Sequence, residues 1–182
     1  MKCTRYHYMK EVEKFLCNEE YKNDSVLEIS GQTYEWLKYF KIHTIANYPE
    51  IDAHKLPYDN ESFDAVICNQ VLEHVKKPWI CVNEFYRVLK SDGILILSSP
   101  FIYQEHNHPI DNWRFTPNGL KILCEEFSEI LMTHKAGNTK MLEHMLKYPN
   151  DRNSDQFKSL LNLNYEDDKK IYYSISTLIA KK

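Results

Sequence analysis

VLEISG at 26–31, IDAHKLPYDNESFDAVICNQVLEHV at 51–75, NEFYRVLKSDGILILSSPF at 83–101 and HNHPIDNWRFT at 106–116 are the stretches that decide the fold of this chain. The runs Val26–Ile29, Phe63–Cys68 and Ile94–Leu97 are apolar and β-prone, and each ends in a short polar or acidic turn. Such continuous apolar runs suit strands covered on both faces of a sheet. Between Pro78 and Lys90 the apolar positions Trp79, Val82, Phe85, Val88 and Leu89 follow a helical period, with Pro in the first turn. Strands separated by helices imply an α/β fold with a mostly parallel sheet. In such a sheet the strand ends on one side form a ligand crevice. The stretch therefore reads as a nucleotide-type ligand site followed by a substrate lid.

Outward from this centre, Tyr8, Val12, Phe15 and Leu16 predict an amphipathic helix over 7–20, ended by Lys22-Asn23-Asp24. A short helix is expected over 32–40 and a second strand over Ile42–Ala46; 47–62 is rich in turn formers and has no helical period. Ser91-Asp92-Gly93 is expected to close the central helix, with Gly93 in the left-handed cap position. Thr116-Pro117 opens another helix, Thr as cap and Pro at the first helical position. Ile130–His134 reads as a strand, 139–147 and 154–163 as helices, and Ile171–Ala180 as a late strand able to form an antiparallel edge.

The 182 residues suffice for one domain with a sizeable core; 43% hydrophobic and 27% charged residues are the profile of a soluble globular protein. A net charge of −3 argues against general nucleic-acid binding. No apolar run approaches the length of a membrane span, and the N-terminus lacks the apolar centre of a secretory signal. Five cysteines without a CxxC pair suit a reduced cytoplasmic location, with Cys68 and Cys81 as small core residues.

The order of VLEISG, the DAHKLPYDNESFDAV block, NQVLEHV and RVLKSDGILILSSPF resembles class I S-adenosylmethionine-dependent methyltransferases of the methyltransferase-11 type, over roughly 24–130. HPIDNWRFT resembles a short subgroup of them. The resemblance implies a Rossmann-like sandwich with an antiparallel edge strand, the sheet order 3-2-1-4-5-7-6, and reduced helices between the early strands. It divides a single domain, 1–182, into an N-terminal helix (1–23), a cofactor-binding half (24–100) and a lid and substrate half (101–182).

The resemblance also implies site residues. Glu28 anchors the amino end of the cofactor, while Ser30 and Gly31 let the turn approach it, although the family turn is richer in glycine. Glu50 and Asn47 are both candidates for the ribose. Asp52 accepts from the adenine amino group, with Ala53 offering its backbone N–H; a turn-capping role is the alternative for Asp52. Asn69 and Gln70 lie where the methyl group and sulfonium belong. Asp64 reads as structural, and His74 as a loop support ahead of a base.

The insert 102–114 is the natural lid over the transferable methyl group. His106 is the leading general base, with His108 the other candidate; Asp111 orients a His or pairs with Arg114, and Arg114 binds an anionic acceptor or fixes the lid. Trp113 stacks on a sugar or fills the core. His106-x-His108 has no further ligand pattern around it, so no metal is expected. The implied reaction is methyl transfer to an oxygen or nitrogen of a small molecule, a sugar or glycan precursor first. The single-glycine turn and the unassigned ribose acid keep open a noncatalytic partner subunit. A peptide or protein methyltransferase is the further alternative, and a homodimer is left open.

Overall fold

The computed structural model describes residues 3–18, 25–31, 34–106, 110–149, 151, 154–155, 160 and 173–182. Helix α1 (Cys3–Asn18) is followed by β1 (Ser25–Ile29), α2 (Tyr34–Leu37), β2 (Ile42–Ala46), β3 (Phe63–Asn69), α3 (Pro78–Val88) and β4 (Leu89–Pro100). Then come α4 (Pro117–Leu123), β5 (Glu129–Ala136), α5 (Thr139–Lys147) and β6 (Ile175–Lys181). The run Lys22–Asp24 and most of 154–163 lie outside the described residues.

The strands form one six-stranded sheet, order β2-β1-β3-β4-β6-β5. β2, β1, β3 and β4 are parallel, and β6 runs antiparallel between β4 and β5. This is the expected order without its outermost strand: among the described residues no strand pairs beyond β2, because 47–62 is built of turns.

Alternation along the strands sends side chains to two cores. Leu27, Val66 and Leu95 pack with Val82 and Phe85 of α3 and Leu120 of α4. Val26, Ala65, Ile67, Ile94 and Ile96 pack on the other face with Tyr8, Val12 and Leu16 of α1 and with Trp36. Each such aliphatic side chain, fully buried, contributes roughly 1.5–3 kcal/mol relative to exposure. Cys68 and Cys81 are buried in the first core, as their apolar neighbours predict. Pro78 opens α3, and the Thr116 hydroxyl caps α4 by accepting from Gly119 N–H at 3.0 Å.

The end of α3 departs from expectation. The helix stops at Val88, Leu89 is already extended, and the left-handed residue is Asp92 (φ 63°), not Gly93. Phe63 pairs with Leu89 and Ala65 with Ile94, so 90–93 bulge out of the ladder. Gly93 is needed there for close approach. A Cβ on it would stand 2.9 Å from the Lys90 carbonyl oxygen and 3.0 Å from that of Asp64. Among the described residues no helix is long and apolar enough to cross a membrane.

Candidate active site

The parallel register brings the carboxyl ends of four strands to one edge. Ile29 pairs with Ala46 on one side and Cys68 on the other, and Asn69 pairs with Ser98. After β1, Ser30 takes a left-handed conformation (φ 57°) and donates its N–H to the Ala46 carbonyl at 2.8 Å. A Cβ on Gly31 would stand 2.7 Å from Ile45 Cγ2 and 3.2 Å from Glu28 Oε2, so only glycine lets the turn lie this close to β2. Glu28, 1% exposed, places a carboxylate beside that turn.

Asn47 and Glu50 are exposed, and the Asn47 carbonyl accepts from Ile51 N–H at 2.8 Å. The Asp52 side chain is 58% exposed and accepts from the His54 N–H at 2.9 Å, with His54 Nδ1 at 2.6 Å. The His54 backbone N–H, more than its ring, holds the Asp52 carboxyl below its ordinary range. His54 Nε2 accepts from Lys77 N–H at 3.2 Å, tying this turn to the start of α3. Ala53 is buried behind it.

After β3, Gln70 is left-handed (φ 59°), and its N–H donates to the Ser98 carbonyl at 2.9 Å. Asn69 Oδ1 accepts from the Ser98 hydroxyl and, at 2.8 Å, from the Tyr8 hydroxyl. Gln70 Nε2 donates to Ser98 Oγ at 3.0 Å. Sequence reasoning missed Tyr8 as a member of this edge. It reads as one more apolar position of α1, and nothing local reports that its hydroxyl meets a residue 61 positions away.

The segment before α4 is hydrogen-bonded to the turn that follows β3. Glu73 O accepts from Asn112 N–H at 2.7 Å and Trp113 N–H at 3.2 Å, and the Trp113 indole donates to Val75 O at 2.9 Å. Trp113 also packs against the first core. The Arg114 guanidinium grips Asp111 with both terminal nitrogens, Nη2 at 2.6 Å from Oδ2, and reaches Gln104 O at 3.2 Å. His106 N–H donates to Asp111 Oδ2 at 2.8 Å, and His106 Nδ1 lies 3.2 Å from the same oxygen. Arg114 holds the Asp111 carboxyl well below the usual carboxylate range. Burial lowers the His106 imidazole against the opposing pull of Asp111.

The structure thus joins His106, Asp111 and Arg114 in one cluster; His108 lies outside the described residues. The cluster includes two side chains from the preceding turn. The His74 ring meets that of His106 edge to face, centroids 5.0 Å apart, with His74 Nδ1 2.6 Å from Ile110 O. Glu73 is fully buried; burial pushes its carboxyl up to about 7, and Oε2 accepts from Ser99 at 3.3 Å. In VLEHV the sequence shows Glu73 only as an acid between Leu72 and His74, which a helix surface would also explain.

Parallel strands whose carboxyl ends meet at one edge, with a glycine-dependent turn after the first, are the arrangement in which doubly wound α/β proteins bind nucleotide-type ligands. A family model for a methyltransferase domain, methyltransferase-11, matches residues 7–97, half of the chain. The chain belongs to this family of class I S-adenosylmethionine-dependent methyltransferases.

It is 29% identical over 91 residues to the "Probable S-adenosylmethionine-dependent methyltransferase" of Mycolicibacterium smegmatis; the match spans 46% of this chain and 35% of that protein. Among solved structures, an S-adenosylmethionine-dependent methyltransferase from Archaeoglobus fulgidus superposes with a TM-score of 0.65 at 17% identity. It covers 98% of this chain and 94% of its own. Phosphoethanolamine N-methyltransferase 2 of Haemonchus contortus, with phosphomonomethylethanolamine and S-adenosylhomocysteine bound, gives 0.62 at 13% identity, over 97% of this chain and 52% of its own. At these identities the structural likeness speaks for the fold.

S-adenosylmethionine is the family's cofactor, and the edge fits it. The turn after β1 has the glycine-dependent close approach, and the buried Glu28 carboxylate suits the positively charged amino end.

Proposed function

We propose that this chain transfers a methyl group from S-adenosylmethionine to an oxygen or nitrogen of a small molecule, a sugar or glycan precursor being the leading class of acceptor. The observation that carries this reading is the ionisable cluster of the lid, pinned by Glu73 O beside the Asn69–Ser98 end of the crevice. The Haemonchus enzyme, with its small phosphorylated acceptor, supports a small substrate.

In this reading Glu28, Ser30 and Gly31 hold the amino-acid end of the cofactor and Asn47 or Glu50 the ribose. Asp52 and Ala53 hold the adenine, and Asn69 and Gln70 border the sulfur. The cofactor, when bound, supplies an electrophilic methyl group on a positively charged sulfur. The chain's own part is alignment, exclusion of water and removal of the acceptor proton. His106 takes that proton; its lowered affinity keeps the imidazole neutral near pH 7. Asp111 orients the ring, and Arg114 fixes Asp111 and the lid.

Labelled-methyl transfer to a panel of sugar and sugar-phosphate acceptors tests the reading. Turnover by His106→Asn is expected to fall by roughly 10²–10⁴ with cofactor affinity unchanged. Equal turnover by both proteins removes His106 as the base, and no transfer to any acceptor class removes the substrate assignment.

A further inference from the structure

Glu73 and His74, from the turn after β3, and His106, from the lid, bring one carboxylate oxygen and two ring nitrogens within 4.8 Å of one another. Glu73 Oε1 is 3.7 Å from His74 Nε2. Ligand atoms of a tetrahedral site with ~2 Å bonds stand roughly 3.3 Å apart. Closing the group from 4.8 Å to that spacing takes about 1.5 Å of side-chain movement.

A ring partner sets the tautomer of His74. His74 Nδ1 faces the Ile110 carbonyl, which can only accept, so Nδ1 carries the proton and Nε2 the lone pair. His106 Nδ1 lies 3.2 Å from Asp111 Oδ2. Histidines that ligate a metal through one nitrogen donate the other N–H to just such a carbonyl or carboxylate. Glu73 Oε1 is buried, and no hydrogen-bond donor among the described residues reaches it. A buried carboxylate oxygen in that condition is costly, and a cation offsets the cost.

We propose that Glu73, His74 and His106 form a divalent-cation site of the two-histidine, one-carboxylate kind, suited to Zn²⁺ or Co²⁺. The site stands on these three residues alone. Only its consequence rests on the proposed function: a cation on His106 takes the lone pair that the acceptor proton needs, so occupancy inhibits methyl transfer.

The test titrates the chelator-stripped 182-residue chain with Co²⁺, followed by visible absorption and calorimetry, then displaces Co²⁺ with Zn²⁺. One cation per chain is expected, with the absorption of low-coordinate Co²⁺. Glu73→Gln and His106→Asn should each weaken binding at least about tenfold, while His134→Asn should not. Thermal unfolding of each variant reports its fold; if Glu73→Gln does not fold, wild type and His106→Asn decide. No Co²⁺ binding by wild type, or binding unchanged in a folded Glu73→Gln or His106→Asn, overturns the site. Titration with S-adenosylhomocysteine on the same samples tests the cofactor reading separately.

Discussion

Asp64 is where a single carboxylate ties three elements together. It accepts from the Ser25 N–H at 2.9 Å and hydroxyl at 2.6 Å at the start of β1, and from Lys90 Nζ at 2.9 Å in the β4 bulge. Burial raises its carboxyl, but the Ser25 and Lys90 bonds outweigh this and the net shift is downward from 3.8. A lowered carboxylate contributes stability that is fully present above its unfolded value and is lost as pH falls through the folded one. Asp64→Asn should therefore cost about 1–2 kcal/mol at pH 7. The gap between the two proteins in urea unfolding should narrow below about pH 4; a gap independent of pH contradicts the charge-based account. That Asp64 is structural was legible from its place at the start of a strand, away from the ligand edge. The Asp111–Arg114 pair was legible only as one of two readings, because spacing alone does not say whether an Arg three residues on turns inward or toward a ligand.

At the scale of elements, the least legible feature was the junction of α3 and β4. Ser91-Asp92-Gly93 suits a helix cap and a bulge equally well; the choice is made by the pairing of Leu89 with Phe63, which ends the helix early. Gly93→Ala, whose Cβ would press on two backbone carbonyls, should cost about 1–3 kcal/mol. Gly119→Ala, with its nearest atom at 3.5 Å in helix α4, should be neutral or stabilising by up to about 1 kcal/mol. Equal urea midpoints for the two variants would show that the bulge tolerates a side chain. For the lid, Arg114→Lys keeps the charge but not the two-pronged grip. Faster hydrogen exchange is expected at Asn112 and Trp113, whose N–H groups bond Glu73 O, with the β3 and β4 amides unchanged. Unchanged exchange at 112–113 would mean that the Asp111 pair does not fix the lid.

At the scale of the whole molecule, the parallel sheet and its antiparallel edge were legible because buried strands are written as apolar runs, and two-sided burial leaves them few other uses. The absence, among the described residues, of a strand beyond β2 was legible only in part: the turn-rich 47–62 stretch showed that a helix was lost, but not that the described sheet would end at β2. Contacts between distant segments, Tyr8 with Asn69 and the turn at Glu73 with the lid, have no local signature and needed the fold. The central claim is that the carboxyl edge of β1, β2 and β3 holds S-adenosylmethionine despite a turn with one glycine. Calorimetric titration of the chain with S-adenosylhomocysteine tests it most directly. Saturable one-to-one binding is predicted with a micromolar Kd, about −7 to −8 kcal/mol; no heat and no thermal stabilisation at millimolar ligand would contradict it.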